Sequence, residues 1–248
     1  LMEYKECFEI MGKDRNSYSK TDLEATFMRM KEDHMLNGQL KPAYNVQIAV
    51  ENYFIIHGYV SNDRTDYNTL IPVVDKHIKA FGEVLEEVTA DSGYCSEKNL
   101  LYLKQNKITS YIKLQDHEKR KTRAYAEDIS KYYNMTTQVF EDELYYICHD
   151  GRELRHIRTE EKEQDGYTQT LEVYGCADCR GCEHKAKCLY KYNPDKDPDK
   201  NKVMKINEQW EELKEESHAN VQSEKGILNR QILSLIHISE PTRRSYIS

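Results

Sequence analysis

The strongest constraint on the fold is a pair of strand-like runs. Alternating helix and strand patterns come after them in the chain. Residues 44–51 alternate apolar and polar side chains, and residues 53–60 are rich in β-branched and aromatic residues. The short link between the two runs predicts a hairpin. Helical and strand-like segments then alternate over residues 66–81, 84–90, 96–105 and 111–114. Two antiparallel strands that lead into such units predict an α/β fold with a mixed sheet flanked by helices.

The chain changes character after residue 115. A charged stretch leads to antiparallel strand patterns at residues 138–149 and 168–174, and a Cys-rich segment follows. Residues 203–232 are interpreted as one long amphipathic helix, and residues 25–39 as a loop with a short helix. We therefore expect four parts: a core (1–115), an inserted β and Cys-rich region (116–200), a helix returning to the core (201–232) and a tail (233–248).

Composition restricts the class of protein. Nineteen Tyr and five Phe argue against disorder, and the longest apolar runs are too short to cross a membrane. The first residues lack the pattern of a signal peptide, so a soluble cytoplasmic protein is expected. The net charge of −7 is unusual for a DNA-binding protein, because affinity for phosphates comes mainly from Lys and Arg.

Asp91 carries the most information about chemistry. It directly follows a short apolar strand and precedes Gly93. The carboxyl ends of strands in an α/β sheet are where active sites gather, so Asp91 is a candidate ligand or catalytic carboxylate. The alternative is that Asp91 only caps a turn, since Asp-x-Gly is a common turn sequence.

Four segments together resemble the motifs of insertion-sequence DDE transposases. Residues 90–94 (Ala-Asp-Ser-Gly-Tyr) resemble the block around the second aspartate, and residues 38–47 resemble the strand in which Gly-Tyr-Asn-x-Gln is usual. Residues 66–72 resemble the start of the helix that precedes the second aspartate, and Asp66 is interpreted as its N-cap. Residues 21–26 (Thr-Asp-Leu-Glu-Ala-Thr) resemble the first-aspartate block.

The resemblance implies a ribonuclease-H-like core whose carboxylates hold Mg²⁺ or Mn²⁺. Asp22 and Asp91 would be the first two ligands, side by side at the ends of neighbouring strands. Glu24 is the neighbouring alternative to Asp22, and Asp22 could instead cap a following helix. The implied partners are DNA, at transposon ends and at the target, and further copies of the chain in a homo-oligomer.

The third carboxylate of the family is expected to be missing. Residues 221–230 resemble the segment that precedes the last Glu, but the pattern does not continue afterwards. The tail from Leu233 resembles a translated sequencing adaptor, and a natural frameshifted end is the alternative. Glu240 is followed by Pro241, which disfavours a helix there, and Glu224 is a fallback ligand. Because the chain opens with Leu1, we expect a fragment that is truncated at both ends and inactive.

Four clustered cysteines predict a second metal site. Their spacing suits a tetrahedral zinc site that staples a region with little core, and an iron–sulfur cluster or free thiols are the alternatives. His184 could replace one of these ligands. The resemblance implies a zinc-knuckle-like insertion here, and Arg180, Lys185 and Lys187 between the ligands would suit contact with phosphates. The cysteines are Cys176, Cys179, Cys182 and Cys188.

The sequence therefore predicts a DDE transposase that cleaves and joins DNA at element ends. Two alternatives stay open: a non-catalytic, zinc-stapled nucleic-acid-binding module, and a related ribonuclease-H-like nuclease. A transposase core predicts that Mg²⁺ or Mn²⁺ binds and is lost with Asp91, whereas a binding module predicts zinc alone.

Overall fold

The computed structural model describes residues 2–12, 15–29, 38–82, 85–164 and 166–239. The chain divides into two compact units, the first formed by Leu1–Leu114 with Ser217–Ser248 and the second by Gln115–Glu216. Helices and several sheets are both present, so the fold is mixed α/β as predicted. Among the described residues, no helix is both long and apolar enough to cross a membrane.

In the described residues before 115, the first unit forms three two-stranded ladders and three α-helices. Strands β1 and β2 pair antiparallel, β3 and β4 pair antiparallel, and β5 and β6 pair parallel. Parallel pairing requires a crossover, and a helix between β5 and β6 supplies it. The elements are α1 (Met2–Met11), β1 (Thr26–Arg29), β2 (Leu40–Ala43), β3 (Asn45–Glu51), β4 (Phe54–Ser61), α2 (Leu70–Phe81), β5 (Glu87–Ala90), α3 (Glu97–Gln105) and β6 (Thr109–Ile112).

The predicted hairpin is confirmed as β3 and β4, with boundaries shifted by one residue. Asn52 and Tyr53 form its two-residue turn, and both have positive φ, 48° and 68°. Two successive left-handed residues match the twist of the strands that they join. Within β3, Gln47 is buried while its neighbours Val46 and Ile48 are exposed, so the polar side chain is the one that faces inward.

Three helix predictions for the first unit have different outcomes. Helix α3 is confirmed, with the Ser96 hydroxyl accepting a hydrogen bond from the Asn99 amide at 3.3 Å. Helix α2 begins at Leu70 rather than at residue 66, and its N-cap is Thr69. The loop with a short helix predicted for residues 25–39 is wrong over Thr26–Arg29, which pair with β2, and residues 30–37 lie outside the described part.

The second unit is built on one antiparallel sheet. Its strands lie in the order β11, β10, β9, β8, β7. The prediction of antiparallel strands is confirmed for β7, β8 and β10, whereas β9 was missed. The elements are α4 (Arg123–Ala126), β7 (Thr136–Phe140), β8 (Glu143–Ile147), β9 (Glu153–Gln164), β10 (Tyr167–Cys176), α5 (Lys185–Cys188) and β11 (Val203–Ile206).

The single long helix predicted for residues 203–232 is wrong. The segment contains β11, α6 (Glu208–Gln222) and α7 (Glu224–Ser239). The Asn207 side chain accepts a hydrogen bond from the Trp210 amide at 2.9 Å and so caps the start of α6. Near its end, the Ser217 hydroxyl donates to the Ile112 carbonyl at 2.8 Å, which joins α6 to β6.

Gly226 permits the close approach between the end of α6 and the start of α7. A methyl group at Gly226 would lie 2.1 Å from the Asn220 carbonyl oxygen and 2.9 Å from the Val221 Cα. Gly226→Ala is therefore expected to lower the free energy of unfolding by about 3 kcal/mol, because backbone atoms cannot move aside cheaply. Urea denaturation measures the change. Gly58→Ala, where a methyl group meets nothing within 4 Å, is the control, and equal stability of the two variants would contradict this account.

Candidate carboxylate and thiol sites

Asp91 lies at the carboxyl end of β5, in the parallel pair of strands. It precedes a short 3₁₀ turn, Ser92–Tyr94, and its Oδ1 accepts a hydrogen bond from the Gly93 amide at 2.7 Å. The turn-capping interpretation therefore describes one contact of Asp91. The Asp91 carboxylate can make further contacts, because the residue is exposed and its second oxygen can accept another partner.

Asp66 is the carboxylate that lies beside Asp91. A methyl group built on Gly93 would lie 2.8 Å from Asp66 Oδ2 and 2.9 Å from Asp91 Oδ1. The two carboxylates therefore converge on the position that lacks a side chain. The interpretation of Asp66 as a helix N-cap is wrong, because no side-chain capping bond starts this 3₁₀ turn and α2 begins only at Leu70.

Two amides of the hairpin hold Asp66 in place. Asn45 Nδ2 and Gln47 Nε2 donate to Asp66 Oδ1 at 2.8 and 2.9 Å, and Gln47 Nε2 also donates to Asn45 Oδ1 at 2.8 Å. Gln47 is only 7% exposed, so its amide is fixed by packing as well as by hydrogen bonds. Both bonds use Oδ1 of Asp66, and the other oxygen is the one that faces Gly93.

Tyr94 links the turn of Asp91 to the same network. Its hydroxyl donates to Gln47 Oε1. Burial raises the pKa of the Tyr94 phenol well above its usual value, and the negative charges of Asp66 and Asp91 raise it further. The phenol therefore stays protonated over the physiological range and acts as a hydrogen-bond donor beside two carboxylates.

Asp22 has different immediate neighbours. Both of its oxygens accept from the Tyr44 hydroxyl at 2.9 Å, and Oδ1 accepts from the Glu24 amide at 3.2 Å. The proposed helix cap is not its role, because strand β1 follows it. Tyr44 directly precedes Asn45, so adjacent residues at the junction of β2 and β3 hold Asp22 and Asp66. The described contacts of Asp22 and Asp91 do not include each other.

Sequence reasoning missed Asp66 as a site residue, although a signal was present. Asn45 and Gln47 are polar side chains on one face of a strand. Gln47 is buried in the structure, and buried amides need partners. A carboxylate placed opposite them would supply those partners, and Asp66 does so.

The four clustered cysteines lie together in the second unit, with Cys148 as a fifth thiol nearby. Cys176 and Cys179 are buried and belong to one hydrophobic cluster, against which Cys148 packs. Asn201 holds the intervening loop, since its Oδ1 accepts from the Cys179 amide at 2.9 Å and its Nδ2 donates to the Ala177 carbonyl at 2.8 Å. All of these cysteines are free thiols.

Burial favours the protonated form of Cys176, Cys182 and Cys188. It raises the pKa of Cys176 to about 11, with a further contribution from the hydrogen bond with Cys179. Burial also raises the pKa of Cys188, and Cys148, Cys179 and Cys182 raise it further. The thiols of this loop therefore act on one another electrostatically. Across the described residues, however, no group of three or more His, Cys, Asp or Glu side chains is placed to hold a metal ion.

Gly93→Ala tests the convergence of the two carboxylates. The added methyl group would displace Asp66 or Asp91, so we expect affinity for Mn²⁺ to fall about tenfold, while the free energy of unfolding changes by less than about 2 kcal/mol. Calorimetric titration with Mn²⁺ and a thermal melt measure the two effects. Ser92→Ala, which adds no atom to the same turn, is the control. Unchanged affinity of Gly93→Ala would show that the carboxylates do not act together.

Comparison with known proteins adds one finding. A family model described as a transposase DDE domain matches residues 147–234. No curated protein matches the chain, and no solved structure does. The matched residues include all four clustered cysteines and the segment 221–230, but not Asp22, Asp66 or Asp91. The match covers about a third of the chain, and it shows that this part is similar to a transposase DDE domain.

Proposed function

We propose that the chain acts in DNA transposition as part of a DDE transposase, with metal-dependent cleavage and strand transfer at element ends. The observation that carries the proposal is the convergence of Asp66 and Asp91 on Gly93 at the end of a parallel strand. The family match over residues 147–234 supports it from a separate part of the chain. A ribonuclease-H-like arrangement of the first unit belongs to this proposal, and its mixed strand pairing is compatible with it.

The carboxylates suit a hard divalent cation. Mg²⁺ takes oxygen ligands, keeps several waters and is commonly held by one or two carboxylates, so a group of three is not required. We propose Asp91 as a ligand together with Asp22, as the sequence predicts, and with Asp66, as the geometry favours. A bound Mg²⁺ or Mn²⁺ would polarise a phosphodiester and favour ionisation of the attacking hydroxyl.

The surrounding residues orient these carboxylates. The amides of Asn45 and Gln47 fix Asp66 through one oxygen, and the Gly93 amide fixes Asp91. The protonated phenol of Tyr94 holds Gln47 in turn. Because Gly93 has no side chain, the space between the carboxylates stays open to an ion or to a substrate phosphate.

The thiol cluster fits a structural role. We propose that Cys176, Cys179, Cys182 and Cys188 bind Zn²⁺ in the manner of a zinc knuckle. Zinc prefers thiolates and would displace their protons on binding. The shared loop and the electrostatic coupling of the thiols support this proposal. The lack of a third carboxylate, the inactivity of the chain and its homo-oligomeric assembly on DNA in the cytoplasm stay predictions.

A zinc-stapled nucleic-acid-binding module is the second candidate function. The family match covers the thiol cluster and none of the proposed carboxylate ligands, which favours this alternative. A module of this kind would bind DNA without help from a cation at Asp91.

Binding of duplex DNA with and without Ca²⁺ separates the two functions. Ca²⁺ also takes oxygen ligands, so an ion at Asp91 would bridge the carboxylates to a phosphate. We expect Ca²⁺ to raise affinity about tenfold in fluorescence anisotropy, and Asp91→Asn to remove the gain while Glu51→Gln keeps it. Glu51 is an exposed carboxylate on β3. Binding that is indifferent to Ca²⁺ in the unaltered chain would favour the zinc-stapled module and contradict the proposal.

A further inference from the structure

One segment of the second unit departs from the acidic character of the chain. Residues 185–202, here called the lysine-rich segment, contain six Lys and three Asp, while the whole chain has a net charge of −7. Local positive charge of this kind attracts nucleic-acid phosphates even when the overall balance is negative. The lysine-rich segment therefore has the local positive charge that complements nucleic-acid phosphates, which the chain as a whole lacks.

Tyr190 is the most exposed large hydrophobic residue of the segment, at 81% exposure. Its backbone is anchored on both sides, since Leu189 is buried and the Tyr190 carbonyl accepts from Lys200 Nζ at 3.5 Å. An aromatic ring that stands in water on a fixed backbone presents a face on which another ring can stack.

Lys191 adds a positive charge to this ring. Its Nζ lies 5.2 Å from the centroid of the Tyr190 ring. Its φ of 50° is in the left-handed region, which is unfavourable for a residue with a long side chain. Backbone strain of this kind gathers at binding sites, and here it accompanies a lysine placed beside an exposed aromatic ring.

A cavity of about 360 Å³ opens beside the same segment. Its lining includes His149, His184 and Lys187, with Glu127 and Asp128. The two imidazole rings are 4.7 Å apart in an edge-to-face arrangement. Lys187 belongs to α5 and lies three residues before Tyr190 in the chain.

The two acidic side chains of this cavity already have partners. Glu127 pairs with Arg123 at 2.7 Å, and Asp128 Oδ1 accepts from the Ser130 amide at 2.9 Å. Lys187 forms no ion pair with a described residue. A phosphate that enters the cavity would therefore meet lysine and imidazole donors beside acids that are partly neutralised.

We propose that the lysine-rich segment binds single-stranded DNA, with an unpaired base stacked on Tyr190 and neighbouring phosphates held by Lys187 and Lys191. An exposed ring can stack only on a base that is not already stacked in a duplex, so the arrangement selects unpaired strands. The choice of DNA as the nucleic acid rests on the proposed function, because strand cleavage and transfer expose unpaired ends.

The test measures binding of a fluorescein-labelled dT12 oligonucleotide to the full chain by fluorescence anisotropy in buffer without added divalent cations, which keeps the carboxylates free of them and leaves zinc at the thiol cluster in place. Tyr190→Ala is expected to raise Kd about tenfold, since loss of one stacked base has an effect of this order. Tyr190→Trp should retain binding. Tyr53→Ala is the matched control, because Tyr53 is 72% exposed in the first unit. Thermal melts check that each variant is folded.

Salt dependence tests the lysines separately. Lys187→Gln and Lys191→Gln should each reduce the slope of log Kd against log salt by about 0.7, the value for one phosphate contact on a single strand. Lys79→Gln, an exposed lysine of α2, should leave the slope unchanged.

Three results would overturn the proposal: equal affinity of Tyr190→Ala and the unaltered chain, equal losses in Tyr190→Ala and Tyr53→Ala, or the same loss with duplex DNA as with dT12. Tighter binding of U12 than of dT12 would overturn the assignment to DNA. If binding at Tyr190 fails, the expected effect of Ca²⁺ at Asp91 still stands. Failure of this proposal can therefore be told apart from failure of the proposed function.

Discussion

Asp91→Asn is expected to weaken binding of Mn²⁺ by about 100-fold or more. Asn keeps the acceptor that bonds the Gly93 amide, so the turn is preserved while the negative charge is lost. A hard divalent ion depends on that charge, and Asp66 alone would offer one carboxylate. Isothermal titration calorimetry on the full chain measures the change.

Glu51→Gln is the matched control for this prediction. It also removes one carboxylate of the first unit, and Glu51 is exposed at the turn end of β3, four residues beyond Gln47. Asp66→Asn should weaken binding as strongly as Asp91→Asn if the two carboxylates share an ion. If Asp91→Asn and Asp22→Asn both lose affinity for Mn²⁺ while Asp66→Asn keeps it, the result would instead favour the pairing of Asp22 with Asp91 that the sequence predicts.

Cys176→Ser is expected to remove zinc from the purified chain and to destabilise the second unit. Loss of one thiolate from a four-ligand site should lower the free energy of unfolding by about 3 kcal/mol, which corresponds to a fall in Tm of more than about 10 °C for a unit of this size. Zinc release measured with a colorimetric chelator and a thermal melt give the two readouts.

Cys7→Ser is the control for the thiol cluster. Cys7 lies in the first unit and accepts a hydrogen bond from the Tyr18 hydroxyl, which a serine can also accept. Zinc content and Tm should be unchanged in this variant. The absence of zinc from the unaltered chain would contradict the account, and visible absorption in the same sample would identify an iron–sulfur cluster instead.

The elements that the sequence predicted correctly have local causes. The hairpin follows from alternation and a two-residue turn, and α3 follows from the capping serine at Ser96. Gly82 ends α2 with a left-handed φ of 71°, as expected for a helix that stops at glycine. In each case the residues that decide the structure lie within a few positions of the element.

The elements that were missed depend on distant partners. Strand β9 carries polar or charged residues at ten of its twelve positions, so no alternation marks it, yet β10 pairs with it along most of its length. From its sequence alone, β11 resembles the start of the following helix, and only its pairing with β10 shows that it is a strand. Tertiary pairing overrode the local pattern in both segments.

The carboxylate site shows the same difference between local cues and distant partners. Asp91 is found from its place after a strand and before Gly93, and both of those cues are local. Asp66 is not, because an Asp ahead of a helix reads as a cap, and only the amides of Asn45 and Gln47 reveal its other role. The pairing of Asp22 with Asp91 stays a prediction, since the described contacts of Asp22 are with Tyr44 and Glu24.

Iron-directed cleavage of the polypeptide tests the central claim most directly. Fe²⁺ replaces Mg²⁺ at carboxylate sites, and with ascorbate and peroxide it cuts the nearby backbone. The account predicts cuts near residues 44–47, 66 and 91–94 that excess Mg²⁺ suppresses and Asp91→Asn abolishes. Cuts confined to residues 176–188, or a pattern that Asp91→Asn leaves unchanged, would show that these carboxylates hold no divalent cation.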